Sequence, residues 1–356
     1  MKVPFRHERI IAPSVPGNPR NGEGSVVELA DGRLLLVYGE FLGEADSAPG
    51  TLQGLFSADR GRTWTGKHTV QENTGVLNVM SASLLRLADG AILLHFLRKD
   101  AERVQCTPFI RRSADEGRTW SDPQAVVEPR EPFYYVVNND RLVQLRGGRI
   151  LIPACVYEGG NRRGDRVFFS DDGGRTWRGG MLHPFGDNEH GPLEPGVIEL
   201  RDGRVMMWCR TGLKDIHACE SADGGETFGP WRPLGLPAPS APASMKRLPG
   251  SGDILCIFND HTVPPAPDGV VRSPLTAALS ADEGWTWRIA GDLEADRTRA
   301  YCYTSITFLP EGEILLTYYV GRDVETVVEG RSVRRHLNLS HLKTAVLRED
   351  DLLPHA

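Results

Sequence analysis

The chain has 356 residues, with 41 basic and 47 acidic side chains for a net charge of −6, and it is 40% hydrophobic and 25% charged. That composition is globular, which excludes wholesale disorder, and a pI near 6.0 leaves no electrostatic footprint for nucleic acid or an anionic membrane. The apolar runs are short, as in LLLVY from Leu34 to Tyr38, so nothing is expected to span a bilayer.

The opening segment, MKVPFRHERIIAPSVPGNPR, has basic residues but no apolar stretch of signal-peptide length. The expectation is a cytoplasmic chain, or a secreted one if a leader has been removed. Two families of repeat then run along the sequence. One reads apolar run, Gly turn, apolar run, with turn glycines at Gly32, Gly90, Gly148, Gly203, Gly252 and Gly312. The other reads Ser-x-Asp-x-Gly-x-Thr-aromatic and starts at Ser57, Ser113, Ser170, Ser221 and Ser280. Asp-Gly between β-rich runs is a hairpin signal. Each unit therefore supplies a hairpin, a variable stretch and a second strand pair that turns at the box.

Six such units predict an all-β fold: one domain over 1–356, a six-bladed β-propeller with four-stranded antiparallel blades. The last unit lacks a box, and the N-terminal strand around Glu8 to Ala12 is expected to close the ring beside it, which removes exposed edges. The Pro-rich stretches Pro237 to Ser244 and Val263 to Gly269 read as surface loops, and Arg163-Gly164-Asp165 as a chance loop. The box aspartates (Asp59, Asp115, Asp172, Asp223 and Asp282) read as turn-stabilising groups, because five equivalent corners do not make one active centre. Cys106, Cys155, Cys209, Cys219, Cys256 and Cys302 form no CxxC pair and read as buried thiols. The ten histidines include no HExxH, and neither a metal nor a cofactor is expected.

Boxes of this type in a six-bladed arrangement resemble the sialidase (neuraminidase) superfamily along nearly the whole chain. The resemblance implies a site of three arginines, an Asp, a Glu and a Tyr. In EPGVIELRDGRVMMWCRTG, Glu194 and Arg210 lie eight residues before and after Asp202 of the turn. The two ends of a hairpin return to one edge, which sets carboxylate beside guanidinium, and the resemblance gives these residues the roles of base and second arginine. YTSITFLPEGEILLTYY resembles the start of the last sialidase blade, with Tyr303 as nucleophile and Tyr301 on the same strand face. VVRSPLTAALSADEG offers Arg272 as the third arginine. In blade one, Asp46 fits the acid/base, with Glu44 and Glu40 as fallbacks, and Arg20 fits the first arginine, with Arg6 or Arg9 behind it. The Arg-Ile-Pro motif usual before the first strand is missing. Where sialidases commonly brace that arginine with a Glu, this chain has Tyr318-Tyr319, and Glu23 is the substitute. Met80, Tyr134, Asn139, His190 and His261 fall near the expected mouth and read as packing or solvated groups.

An anomeric carboxylate repels an Asp or Glu nucleophile but not a neutral tyrosine, which suits such a set to sialic acid. The expected activity is that of an exo-sialidase-like retaining hydrolase on a terminal sialic acid or related 2-keto-3-deoxy sugar acid. The alternatives are an enzyme of hydrolysis or elimination on another acidic sugar, such as a uronate, or a propeller that only binds glycans. The expected partner is an acidic glycan or sugar acid.

Overall fold

The computed structural model describes residues 2–129, 133–157, 163–186, 191–263, 270–328 and 331–353. Arg20–Glu28, Leu34–Phe41, Gly50–Ser57 and Thr65–Gln71 form the first antiparallel blade. Asn78–Arg86, Ile92–Ala101, Gln105–Ser113 and Gln124–Ala125 form the second. The third is built on Ile150–Tyr157 and Arg163–Ser170, flanked by short strands, and a parallel pair, Tyr134↔Cys106, joins it to the second. Leu193–Glu199, Val205–Arg210, Asp215–Ser221 and Arg232–Pro237 make the fourth, and Ser244–Arg247, Ile254–Asn259, Leu275–Ser280 and Arg288–Glu294 the fifth.

The sixth blade consists of Tyr301–Phe308, Glu313–Val328, Arg331–Arg348 and the N-terminal strand His7–Ala12. His7 lies opposite Val346 and Ala12 opposite Leu342, so the first strand closes the ring as its position in the sequence suggests. Six apolar clusters fill the junctions between consecutive blades, including Leu36 with Leu315 between the last and the first. Burial on both faces is why the middle strands are continuous apolar runs.

The boxes are turns. Ser57 Oγ accepts from Gly61 N at 2.8 Å, and Asp59 accepts from Thr63 N and Thr63 Oγ1 at 2.8 and 2.6 Å. The same bonds recur at Ser113, Ser170, Ser221 and Ser280. All six cysteines are free and buried.

Two readings of the sequence change. Pro237 to Ser244 is not a surface loop: Ala238, Ala241 and Ala243 are buried, because these small residues pack at the junction of blades four and five. Of the second Pro-rich stretch, 264–269 fall outside the described residues. Arg163-Gly164-Asp165 opens a strand rather than a loop, with Asp165 fully buried opposite Cys155.

The ring is tied at its centre by three consecutive residues. Asn139 Nδ2 donates to Gly24 O and Tyr303 O at 2.7 and 3.1 Å. Asp140 accepts from Ser25 Oγ, Lys246 Nζ and Ile306 N. Arg141, fully desolvated, donates to Pro195 O, Ser244 Oγ and Ala243 O. Blade three thus holds blades one, four, five and six in register through groups that water cannot compete for.

Candidate active site

A β-bulge interrupts the innermost strand of four blades, between Gly22 and Ser25, Met80 and Ser83, Leu193 and Gly196, and Cys302 and Ser305. Each bulge holds a non-glycine residue at positive φ: Glu23 (55°), Ser81 (60°), Glu194 (48°) and Tyr303 (59°). All four sit nine residues before their turn glycine, at Gly32, Gly90, Gly203 and Gly312. A bulge re-aims a side chain that regular pairing would leave within the sheet. Left-handed backbone at non-glycine residues costs on the order of 1–3 kcal/mol each and concentrates at functional sites.

The bulge also separates the two tyrosines. Tyr303 faces the mouth, whereas Tyr301 is 2% exposed and packs edge-on against Tyr318 in the wall between blades five and six. Tyr301 therefore does not share the face of Tyr303, as it would in a regular strand.

Tyr303 Oη donates to Glu194 Oε1 at 2.9 Å, and Arg210 Nη1 donates to Glu194 Oε2 at 2.8 Å. Arg210 Nε is fixed by Ser240 Oγ at 2.9 Å, from the buried Ala/Pro segment. Arg272 lies 5.6 Å over the Tyr303 ring, and its Nη1 donates to Cys302 Sγ at 3.1 Å. Burial alone would raise the pKa of Glu194, but Arg210 and Arg272 outweigh it and hold the carboxyl below its ordinary value. Burial, reinforced by Glu194, pushes the Tyr303 hydroxyl well above its ordinary pKa. The pair is therefore a neutral phenol bonded to a carboxylate.

Across the mouth, Arg20 is held on every side. Its Nε donates to Tyr319 Oη at 2.9 Å, Nη2 to Glu23 Oε1 at 2.7 Å and Nη1 to Asp46 Oδ1 at 2.5 Å. The guanidinium lies 4.5 Å from the centroid of Phe41 and 5.6 Å from that of Tyr319. Glycines make room for both rings. A Cβ on Gly22 would lie 2.1 Å from Tyr319 Cε1, and one on Gly50 would lie 2.6 Å from Phe41 Cδ1. Glu23 is in turn fixed by Ser81 Oγ at 2.8 Å. Tyr319 thus occupies the bracing position in this chain, together with Glu23.

Arg20, Asp46, Glu194 and Tyr303 line one cleft, which joins the two halves. Its far wall includes Met80, Leu97, Cys106, Tyr134, Val137 and Lys99. All six sequence-derived site residues therefore converge on one mouth. Two of the fallbacks are engaged elsewhere: Arg6 pairs with Asp351 and Glu40 with Lys67. Met80 and Tyr134 line the cleft, Asn139 supports the Tyr303 backbone, and His261 bonds Val271 O. His190 lies outside the described residues. Sequence reasoning missed Ser81, Ser240, Asn78 and Lys99. For Ser81 the nine-residue spacing was an available signal; the other three are brought in by tertiary contacts.

The BNR repeat-like domain family matches residues 97–316. A sialidase of Micromonospora viridifaciens is 25% identical over 328 residues, covering 83% of this chain and 49% of that protein. An anhydrosialidase of Macrobdella decora is 27% identical over 230 residues, covering 59% of this chain and 29% of that one. The chain thus spans half or less of the length of these two curated relatives. Among solved structures, a leech intramolecular trans-sialidase bound to 2,7-anhydro-Neu5Ac superimposes with a TM-score of 0.70 at 16% identity, over 98% of this chain and 71% of that one. A Dyadobacter fermentans protein of unknown function reaches 0.75 at 20% identity, over 97% and 98%. The family match covers more than half of the residues, and the chain belongs to the sialidase-like BNR-repeat superfamily of β-propellers.

Proposed function

We propose that the protein is a retaining glycoside hydrolase that releases a terminal sialic acid, or a related 2-keto-3-deoxy sugar acid, from a glycan. The observation that carries this reading is the Tyr303 hydroxyl donating to Glu194, with Arg210 and Arg272 beside the pair. A phenol of pKa ~10 attacks only when its proton has somewhere to go. Glu194 takes that proton as the Tyr303 oxygen bonds to the anomeric carbon and the bond to the leaving oxygen breaks. Asp46 gives its proton to the leaving oxygen, then takes one from water as the water oxygen attacks the anomeric carbon. The Tyr303 oxygen departs with the proton returned by Glu194. Two displacements at one carbon give net retention. Arg20, Arg210 and Arg272 present permanently charged forks to the sugar carboxylate.

The test is trapping with a fluorinated sugar acid followed by peptide mass spectrometry. An adduct on Tyr303 is expected, with loss of the adduct and at least about 10³-fold of the rate in Tyr303→Phe. An adduct on a carboxylate, or inversion of configuration, would overturn the reading. An unsaturated, ultraviolet-absorbing product would assign elimination instead.

A further inference from the structure

We propose that in the unliganded protein Asp46 is latched onto Arg20, and that the substrate's own carboxylate releases it by taking its place. The inference rests on the functional reading above. Every nitrogen of the Arg20 fork already has a partner: Nε goes to Tyr319, Nη2 to Glu23 and Nη1 to Asp46, while Phe41 and Tyr319 flank the guanidinium. Two of these partners cannot leave. Glu23 is 1% exposed and pinned by Ser81, and Tyr319 is fully buried. The Asp46 side chain is 66% exposed, so it alone can give way to another carboxylate.

The loop that carries Asp46 stays in place when the side chain swings. Asp46 O accepts from Asn78 Nδ2 at 2.8 Å and from Lys99 Nζ at 3.0 Å, and Asn78 also holds Ala48 O at 2.9 Å. The charged and titratable groups acting on Asp46 are Arg20, Lys99 and Arg272 against Glu23, with Tyr134 close by. Partial desolvation at the cleft wall would raise the pKa of Asp46, but the pairing with Arg20, helped by Lys99 and Arg272, lowers it overall. A latched Asp46 is therefore ionised and has no proton to give. Once the substrate carboxylate sits on Arg20, Asp46 faces a new negative charge and a spent partner, and it takes up a proton from solvent. A sugar without the carboxylate leaves the acid latched.

The experiment is calorimetric titration of the full chain with a non-cleavable 2,3-unsaturated sugar acid, in buffers of different ionisation enthalpy between pH 5 and 8. Binding is expected to take up about one proton, so affinity falls as pH rises. Asp46→Ala is expected to abolish the uptake and to tighten binding several-fold at pH 7, because the competitor for Arg20 is gone. Glu23→Gln is expected to keep the uptake, which separates Asp46 from the other carboxyl on Arg20. No proton uptake in the wild type, or uptake and affinity unchanged in Asp46→Ala, overturns the latch while leaving the site reading intact. Failure of every anomeric sugar acid to bind overturns the site reading, and the latch with it.

Discussion

Gly22→Ala adds one methyl group outside the proposed catalytic set, yet it is expected to disable the first arginine. The new Cβ would stand 2.1, 2.2 and 2.5 Å from Cε1, Cζ and Cδ1 of Tyr319. Ordinary contact begins near 3.4 Å, so the ring must retreat by more than an ångström. It is fully buried, and Tyr303 meets it edge-on with centroids 5.8 Å apart, so little space is available for the retreat. The movement also pulls Oη from Arg20 Nε, now 2.9 Å away. Overpacking costs about 1–3 kcal/mol and loss of a hydrogen bond to a charged group about 1.5–3, or roughly 2.5–6 kcal/mol together. Thermal unfolding should shift down by several degrees, and KM for a carboxylated substrate should rise. Tyr319→Ala removes all three ring atoms that clash, so Gly22→Ala should cost much less in that background, a coupling that a double-mutant cycle measures. Wild-type Tm and KM in Gly22→Ala, or costs that simply add in the double variant, would refute the argument.

Arg210→Lys keeps the charge but cannot serve Glu194 and Ser240 at once; kcat/KM on an acidic substrate is expected to fall ~10- to 150-fold, from about 1.5–3 kcal/mol of lost bonding. Wild-type efficiency would remove this residue from the carboxylate clamp. Asp172→Ala should lower Tm while leaving KM unchanged, since among the described residues Asp172 bonds its own turn, at Ser170, Arg175 and Thr176; a large change in KM would contradict its structural role. Asp165 is fully buried beside Cys155, and burial, which outweighs the opposing effects of Cys155 and Arg163, pushes its pKa well above the ordinary value. The folded state then holds a proton that the unfolded chain releases above pH ~4, so stability falls as pH rises toward the raised pKa, by about 1.4 kcal/mol per pH unit. Asp165→Asn should make the decline of Tm between pH 5 and 8 shallower, and an unchanged slope would show that Asp165 does not drive it.

The parts of this fold that sequence alone conveys are those encoded locally. A turn glycine and a Ser-x-Asp corner each satisfy their own backbone within a few residues, so their recurrence marks the blades. Glu194, Arg210 and Tyr303 are legible for a related reason, since their distance from a turn fixes their height on the blade. What depends on another blade is not legible in this way. Ser240 reaches Arg210 only because a Pro/Ala segment that looks solvent-loving on paper is folded inward. Tyr319 reaches Arg20 across the whole chain. Tyr301 was misplaced because the alternation rule assumes an unbroken strand, and the bulge after Cys302 breaks it.

The strand His7–Ala12 and Arg20 belong to one short stretch of chain, and both find their partners in the sixth blade, at Leu342 to Val346 and at Tyr319. Those contacts span nearly the full sequence, and their loop-closure entropy is met only after the intervening blades can support it. The cluster around Arg20 is therefore complete only once the first and sixth blades have met. An opened ring with five well-formed blades would keep most of the spectroscopic signature of the native protein and yet lack the Arg20–Tyr319 bond, so binding of the proposed acidic-sugar ligand would report ring closure itself.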